Sequence, residues 1–192
     1  MIKNFLIIGC GLIGSSILRS VAKNKIAKNI FIFDKSKKNV SKINKLKIPL
    51  KIVNNLTSIV SSMDMIIFCT PMSEYEKLIL KIKNFLNKGT LITDVGSTKQ
   101  NALKNVRKNL KNSAVWISSH PIAGSEVSGP EHGSAKLFLN RWCIIIKDKN
   151  VNNMKLKILK KFWKKLGSKV LIMDEKKHDI IFSMTSHLPH LI

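Results

Sequence analysis

An apolar run at residues 3–8 passes directly into the sequence GCGLIG at 9–14, and a stretch with the period of a helix follows over about 12–24. A glycine-rich turn between a strand and a helix is the first unit of many doubly wound α/β proteins. This feature constrains the chain more than any other, because it sets a strand, a helix and the tight turn that joins them.

The three glycines of this turn have different physical roles. Gly9 permits the tight turn, Gly11 lets a pyrophosphate approach the backbone, and Gly14 lets the helix pack closely on the strand. Free N–H groups at the helix N-terminus, where Leu12 and Ile13 lie, favour negative charge. The turn therefore predicts a dinucleotide site made by these five residues.

Apolar runs alternate with lysine-rich stretches of helical period along the rest of the chain. Strands are predicted at 3–8, 30–33, 51–53, 65–69, 90–93, 114–117, 142–146 and 169–173, and helices at about 12–24, 37–46, 56–62, 73–86, 98–110 and 151–165. A parallel pair of strands needs a crossover long enough to hold a helix. The alternation therefore predicts an α/β fold with a doubly wound, mostly parallel sheet of the Rossmann type.

Asp34 lies at the end of the second predicted strand, 20 residues after Gly14. A carboxylate there can accept hydrogen bonds from the adenosine ribose, and it favours NAD because it repels a 2′-phosphate. Lys35, Lys37 and Lys38 follow immediately and could weaken that repulsion, so NADP is not excluded.

Thr70 and Pro71 follow the fourth predicted strand, at the carboxyl edge of the sheet where ligands bind in doubly wound folds. We expect both to contact the cofactor. The alternative for this segment is purely structural, since Ser73 and Glu76 have the spacing of a helix capping box.

The net charge of +23 is typical of proteins that bind nucleic acid. Only Arg19, Arg107 and Arg141 are arginines, however, and the lysines are spread through nearly every segment. A surface that reads phosphates more often clusters arginines and interleaves aromatic residues. We interpret the charge as a solvated basic surface and expect no nucleic-acid partner.

The apolar runs are too short to cross a membrane, which takes roughly 20 residues. The N-terminal run ends in the glycine turn and not in a cleavage site, so we expect a cytoplasmic protein without a membrane partner. The three cysteines are far apart in the sequence, which favours reduced thiols and predicts no metal site.

Two further segments carry polar residues at the carboxyl edge. DVGSTK at 94–99 follows the fifth predicted strand, and the loop SHPIAGSE at 119–126 follows the sixth. Both loops leave the same edge as the glycine turn, so Gly96, Ser97 and His120 are expected to converge on the nicotinamide end of the cofactor. By itself His120 could equally be a solvated loop histidine; its ordinary pKa near about 6.5 also suits proton transfer.

These motifs together resemble those of the prephenate and arogenate dehydrogenases of tyrosine biosynthesis. The resemblance rests on GCGLIGSS at 9–16, DVGSTK at 94–99, SHPIAGSE at 119–126 with SGPEHG at 128–133, and SHLPHLI at 186–192. It implies an NAD(P)-binding domain at 1–173. Residues 174–192 would begin an all-α domain, truncated here, which forms a homodimer and completes the substrate pocket.

The resemblance also implies a reaction, the oxidative decarboxylation of prephenate or arogenate with loss of a hydride and of carbon dioxide. His120 would accept the hydroxyl proton, and Ser97 would orient His120 and bridge to the cofactor. Glu126 would lie at the pocket entrance, and Ser119 beside the catalytic histidine would contact substrate. The family's arginine that clamps a carboxylate would lie beyond residue 192.

The remaining histidines are assigned in the same way. His187 and His190 are expected to contact substrate, because this segment enters the substrate pocket in the family; a metal pair at their spacing lacks a third ligand. His132 and His178 are predicted to lie on the surface.

Two other interpretations stay open from the residues alone. A β-hydroxyacid dehydrogenase or an imino-acid reductase would share the glycine turn and a helical second domain, but it would not predict SHPIAGSE. A basic module that binds a cofactor or nucleic acid would have the same fold but no dehydrogenase activity.

Overall fold

The computed structural model describes residues 1–99, 104, 106, 108–110, 113–148 and 151–182. The strands are β1 (Ile2–Ile8), β2 (Ala27–Phe33), β3 (Lys51–Ile52), β4 (Met65–Phe68), β5 (Leu91–Asp94), β6 (Val115–Trp116), β7 (Ser119–Pro121), β8 (Trp142–Ile146) and β9 (Lys169–Met173). The bounded helices are α1 (Leu12–Lys23), α2 (Lys37–Asn44), α3 (Tyr75–Ile82), α4 (Asn153–Lys165) and α5 (Glu175–Phe182).

Six strands form a sheet in the order β3-β2-β1-β4-β5-β6, and every pair in it is parallel. The order reverses direction between β1 and β4, which makes their carboxyl ends the switch point of the sheet. The Rossmann-type fold predicted from the alternation is confirmed. The glycine turn after β1 therefore opens at the crevice where such sheets bind ligands.

The last three strands form a separate small sheet in the order β7-β8-β9. β7 runs antiparallel to β8, with His120 opposite Ile144, and β8 runs parallel to β9. His120 was expected in a loop, but the structure corrects this to the middle of a short strand. Because β7 is paired with β8, the backbone of His120 is more restricted than it would be in a loop.

The main sheet is buried on both faces, as its near-continuous apolar strands require. Phe5 and Ile7 of β1 belong to one core cluster, together with residues of α1 and α4 such as Phe162. Leu6 and Ile8 belong to the opposite cluster, which includes Tyr75 of α3. Burial on both faces fixes the position of β1. The start of the glycine turn that follows β1 is therefore fixed as well.

Some predicted helices are shorter in the structure. Residues 56–62 contain only a 3₁₀ turn at Val60–Ser62, because the hydroxyls of Ser58 and Ser62 bond to nearby backbone carbonyls and compete with a regular helix. The helix predicted at 73–86 is α3 flanked by 3₁₀ turns, without a side-chain cap from Ser73. Only part of the helix predicted at 98–110 lies within the described residues.

The described helices are short, and α4 is the longest bounded one at 13 residues. Within the described ranges we find none with the length and apolar character needed to span a membrane.

Candidate active site

The glycine turn is packed against the end of β4. Gly9 has a φ of +91°, and a Cβ at this position would lie 2.8 Å from the carbonyl oxygen of Cys69 and from the Thr70 side chain. A Cβ on Gly14 would overlap the carbonyl oxygen of Gly9. Gly11 differs, because a Cβ there would meet nothing within 4 Å. Gly9 and Gly14 thus serve the fold, whereas Gly11 faces open space.

The N-terminus of α1 is suited to an anion. Gly11 is its N-cap residue and supplies no side chain, and the first turn carries no acidic residue. Leu12 and Ile13 are half-buried at this end of the helix. Since the first N–H groups of a helix lack partners within it and lie at the positive end of the dipole, this terminus can hold phosphate.

Asp34 anchors the glycine turn to the end of β2. Its carboxylate accepts a hydrogen bond from the Cys10 backbone N–H at 2.6 Å and from the Ser36 N–H at 2.7 Å, and Asn39 donates through its side chain at 3.2 Å. Burial, with a smaller contribution from Asp34, raises the pKa of the Cys10 thiol to about 12. The Asp34 carboxylate thus holds the glycine turn in place, and it also faces the cavity beside that turn.

A cavity of about 420 Å³ lies between the glycine turn, the end of β2 and the end of β4. It is lined by Gly9, Gly11, Asp34, Thr70 and Pro71, among others. The Thr70 hydroxyl oxygen is buried and has no hydrogen-bond partner within the described part of the chain. A buried hydroxyl without a partner is costly, so it indicates a polar ligand in this cavity. Together with the open space at Gly11, it fits the adenosine half of a dinucleotide.

Lys35 and Glu74 form an ion pair, and both residues line this cavity. The hydrogen bond and charge of Lys35 lower the pKa of the Glu74 carboxyl. Lys35 was expected to be available to weaken the repulsion of a 2′-phosphate by Asp34. In the structure its ammonium group is instead bound to Glu74.

A fully buried ion pair between Lys99 and Asp94 connects the segments DVGSTK and SHPIAGSE. The Lys99 ammonium is 2.8 Å from Asp94 Oδ2 and donates to the backbone carbonyl of Ser119 at 2.8 Å. Asp94 also accepts from the N–H groups of Gly96 at 3.0 Å and Ser119 at 3.3 Å. The pair thereby joins the end of β5, the DVGSTK turn and the strand that carries His120.

His120 is partly buried and held by α5. Its Nδ1 lies 2.9 Å from Nε2 of His178, and its ring packs against Phe182 with the centroids 4.9 Å apart. Burial, followed by the charge of Lys99, lowers the pKa of His120 to about 3. The imidazole is therefore neutral near pH 7, which is the form that accepts a proton.

Two predictions about individual side chains are wrong. His178 was expected on the surface, yet it is fully buried between His120 and Asp179. Ser119 was expected to contact substrate, but its hydroxyl has no exposure and bonds to the Asp94 carbonyl at 2.7 Å and to Thr93 at 3.0 Å. Strand alternation explains the second case, because adjacent residues of β7 point to opposite faces.

The other predicted residues divide into three groups. Gly96 lies against Met72, whose sulfur would be 2.6 Å from a Cβ at Gly96. Ser97 and Glu126 are exposed, so their roles toward cofactor and substrate stay predictions. His187 and His190 lie outside the described residues.

Sequence reasoning missed the residues that support His120, namely Asp94, Lys99, His178 and Asp179. Lys99 and Asp94 are five residues apart within DVGSTK. The adjacent residues His178 and Asp179 do not belong to any of the motifs recognised in the sequence. The usable signal was chemical: Asp94 ends an apolar strand and Lys99 follows it closely in the sequence, and a lysine and an aspartate must be paired if they are buried.

Comparisons with known proteins agree with this geometry. Residues 17–172 match the family described as prephenate dehydrogenase, nucleotide-binding domain. The cyclohexadienyl dehydrogenase of Zymomonas mobilis is 30% identical over 190 residues, which cover 99% of this chain and 64% of that protein. The prephenate dehydrogenase of Lactococcus lactis is 31% identical over 192 residues, covering 99% of this chain and 52% of that protein.

Among solved structures, the prephenate dehydrogenase of Aquifex aeolicus in complex with hydroxyphenyl propionate and NAD⁺ superposes with a TM-score of 0.91. It is 27% identical, and the match covers 100% of this chain and 66% of that one. This chain thus spans about half to two thirds of the length of these relatives. With the matched stretch covering most of its residues, the chain belongs to the prephenate dehydrogenase family, in the part that forms the nucleotide-binding domain.

Proposed function

We propose that this chain is the cofactor-binding part of an NAD-dependent prephenate or arogenate dehydrogenase of tyrosine biosynthesis. The observation that carries the proposal is His120, a neutral imidazole held through Nδ1 on a strand anchored to the carboxyl end of β5. Strand β5 is adjacent to β4, whose end packs against the glycine turn. The family membership supports the same reaction, and neither a β-hydroxyacid dehydrogenase nor a basic nucleic-acid module gains support from it.

NAD is the cofactor we assign. Gly11 would let the pyrophosphate approach, the N-terminus of α1 would face its charge, and Asp34 and Thr70 would contact the adenosine. The complex of the Aquifex aeolicus relative with NAD⁺ supports this choice. Bound nicotinamide supplies an acceptor for the hydride that leaves the carbinol carbon of the substrate.

The residues of this chain would accept and return the proton of the substrate hydroxyl. His120 Nε2 would accept the hydroxyl proton as the carbinol is oxidised, and it would return that proton to the phenolate oxygen once carbon dioxide has left and the ring is aromatic. General base catalysis of this kind contributes about 10²- to 10⁴-fold in rate. Ser97 would orient His120 and bridge to the cofactor, and Glu126 would lie at the pocket entrance.

We further propose that the protein acts as a cytoplasmic homodimer, and that residues 174–192 begin its helical domain. Helix α5, which starts directly after β9, supports such a boundary near residue 174. His187 and His190 would contact the substrate from this domain, as they would in the family.

The proposed function is tested by following NADH formation with prephenate and, separately, with arogenate. The assay compares this chain with the same chain extended to the length of its relatives. Reduction of NAD with either substrate supports the proposal. Tight NAD binding without turnover of either substrate by the extended chain would overturn it and leave only the dinucleotide site.

Substitution of Gly11 and Gly14 by alanine separates cofactor binding from folding. Gly14→Ala places a methyl group on the Gly9 carbonyl, so we expect a loss of about 1–3 kcal/mol or more in the free energy of unfolding. Gly11→Ala meets nothing in the protein, so stability should change by less than about 0.5 kcal/mol while NAD affinity falls at least about tenfold. Urea unfolding and NAD titration measure the two effects. Unchanged NAD affinity in Gly11→Ala would contradict the site.

The Lys35–Glu74 ion pair should contribute to the preference for NAD over NADP. In Glu74→Gln the ammonium of Lys35 is released beside Asp34, where it can approach a 2′-phosphate. We expect the ratio of the NADP and NAD dissociation constants to fall by roughly two- to fivefold, the scale of an exposed ion pair. Glu76→Gln, two residues further along in the first turn of α3 and hydrogen-bonded to Asn109, is the matched control. A ratio that stays constant or rises in Glu74→Gln would exclude this role.

A further inference from the structure

Three side chains from two separate elements form a continuous hydrogen-bonded row. His120 belongs to β7, and the adjacent residues His178 and Asp179 belong to α5. His120 Nδ1 lies 2.9 Å from His178 Nε2, and His178 Nδ1 lies 2.7 Å from Asp179 Oδ1. Phe182, one turn further along α5, packs against both rings, with centroid distances of 4.9 Å and 4.6 Å. The row is therefore held by packing as well as by hydrogen bonds.

The protons in this row can be assigned in order. An ionised Asp179 only accepts hydrogen bonds, so the proton between it and His178 belongs to His178 Nδ1. In a neutral imidazole the other nitrogen is then an acceptor, so the proton between the two rings belongs to His120 Nδ1. His120 Nε2 is left with a free lone pair.

The charges around the row are consistent with two neutral rings. Burial lowers the pKa of both histidines, and Lys99 acts in the same direction on each of them. Asp179 opposes this on both rings, and Asp94 opposes it on His178. The Lys99 backbone N–H also donates to the two Asp179 oxygens at 3.1 Å and 3.3 Å, which directs the carboxylate toward His178.

We propose that His178 and Asp179 are positioning residues that fix His120 as the Nδ1–H tautomer, leaving Nε2 unprotonated to accept a proton from bound substrate. The part of this inference that concerns substrate rests on the proposed function. The tautomer itself is a property of the protein alone. An imidazole side chain in water favours the opposite Nε2–H tautomer, which would present a donor to the substrate hydroxyl and could not act as the base.

After the proton moves, the same row would stabilise the product state. The hydroxyl proton bonds to His120 Nε2, the Nδ1 proton stays shared with His178, and the positive charge of the imidazolium lies one ring away from the Asp179 carboxylate. No proton leaves the row, so His120 Nε2 can return its proton to the phenolate oxygen.

The tautomers can be read directly from ¹⁵N-histidine NMR of this chain at neutral pH, with the His120 signals assigned by their loss in His120→Asn. We expect His120 and His178 both to carry the proton on Nδ1. In His178→Phe, which keeps an aromatic ring against Phe182, His120 should change to the Nε2–H form. His132→Phe, at an exposed histidine outside the row, should leave the His120 signals unchanged.

An Nε2–H tautomer of His120 in the wild-type chain, or an Nδ1–H tautomer that persists in His178→Phe, would overturn the inference. If His178→Phe does not fold, Asp179→Asn provides the second variant, in which His178 should lose its uniform Nδ1–H form; retention of that form would also overturn the inference. Neither result depends on turnover, so failure of the proposed function would remain distinguishable.

The kinetic counterpart is measured in the active enzyme. His178→Phe should lower kcat about tenfold or more, but by less than the loss of about 10²- to 10⁴-fold expected on removal of the base itself, while the NAD dissociation constant stays constant. The pH dependence of kcat should change in the same variant, because the group that titrates in the complex is no longer the hydrogen-bonded pair. A kcat and pH profile equal to those of wild type would contradict a positioning role.

Discussion

His120→Asn is expected to lower kcat by about 10²- to 10⁴-fold with either prephenate or arogenate, because asparagine cannot accept the hydroxyl proton. NAD should bind with unchanged affinity, since His120 lies on β7 and the cofactor cavity is lined by the glycine turn and the ends of β2 and β4. NADH absorbance measures the first quantity, and titration of intrinsic fluorescence with NAD measures the second.

His132→Asn is the matched control for this variant, because His132 is an exposed histidine in the neighbouring SGPEHG segment. Its kcat should stay close to that of wild type. Near-normal turnover in His120→Asn would show that the protein does not use this imidazole as the base. A parallel loss of NAD affinity would instead indicate a folding defect of the strand.

Lys99→Met should destabilise the chain by about 3–5 kcal/mol, which is the usual cost of removing one partner of a buried ion pair. Lys99 and Asp94 are both fully buried, with 2.8 Å between the charged atoms. The substitution leaves the Asp94 carboxylate with hydrogen bonds from Tyr75, Gly96 and Ser119, but without a positive charge. Urea unfolding followed by circular dichroism measures the loss.

Two controls separate charge from side-chain volume. Lys136→Met, at an exposed lysine, should change the free energy of unfolding by less than about 0.5 kcal/mol. The double variant Lys99→Met with Asp94→Asn should be less destabilised than the sum of the two single variants, because it leaves no unpaired charge. Additive losses would mean that the two residues do not act as a pair.

Loss of the Lys99 charge should also change the pH dependence of the reaction. The charge of Lys99 lowers the pKa of His120, so its removal should let that pKa rise toward the ordinary value near about 6.5. A base whose pKa rises becomes protonated over a wider range of pH. The acidic limb of the pH profile should therefore move to higher pH in any Lys99→Met protein that still folds.

Local patterns in the sequence were sufficient to predict the fold and the place of Asp34 beside the glycine turn. Gly9 and Gly14 are restricted by the backbone they must adopt and by the atoms next to them, and both restrictions come from the strand, turn and helix of one segment. The alternation of apolar runs likewise depends on the period of each element alone. Such signals predicted the parallel sheet, its carboxyl edge and the position of Asp34 beside the glycine turn.

Local patterns did not predict the residues that hold His120 in place. His178 was predicted on the surface, and it lies in the charged segment EKKHD. Its burial depends on α5 packing against β7, two elements whose histidines are 58 residues apart. Ser119 was misassigned for a related reason: it is adjacent to His120 in the sequence, but the pleat of β7 turns the Ser119 hydroxyl into the interior.

By itself the sequence determined where the chain turns and which long apolar runs become strands of the parallel sheet, because these follow from backbone geometry and hydrophobic period within short segments. Only the tertiary structure decided which distant polar groups meet. Lys35 pairs with Glu74 across 39 residues, and the backbone N–H of Lys99 donates to Asp179 across 80. Those contacts depend on how distant elements pack, and this packing is not specified by the local pattern of any one segment.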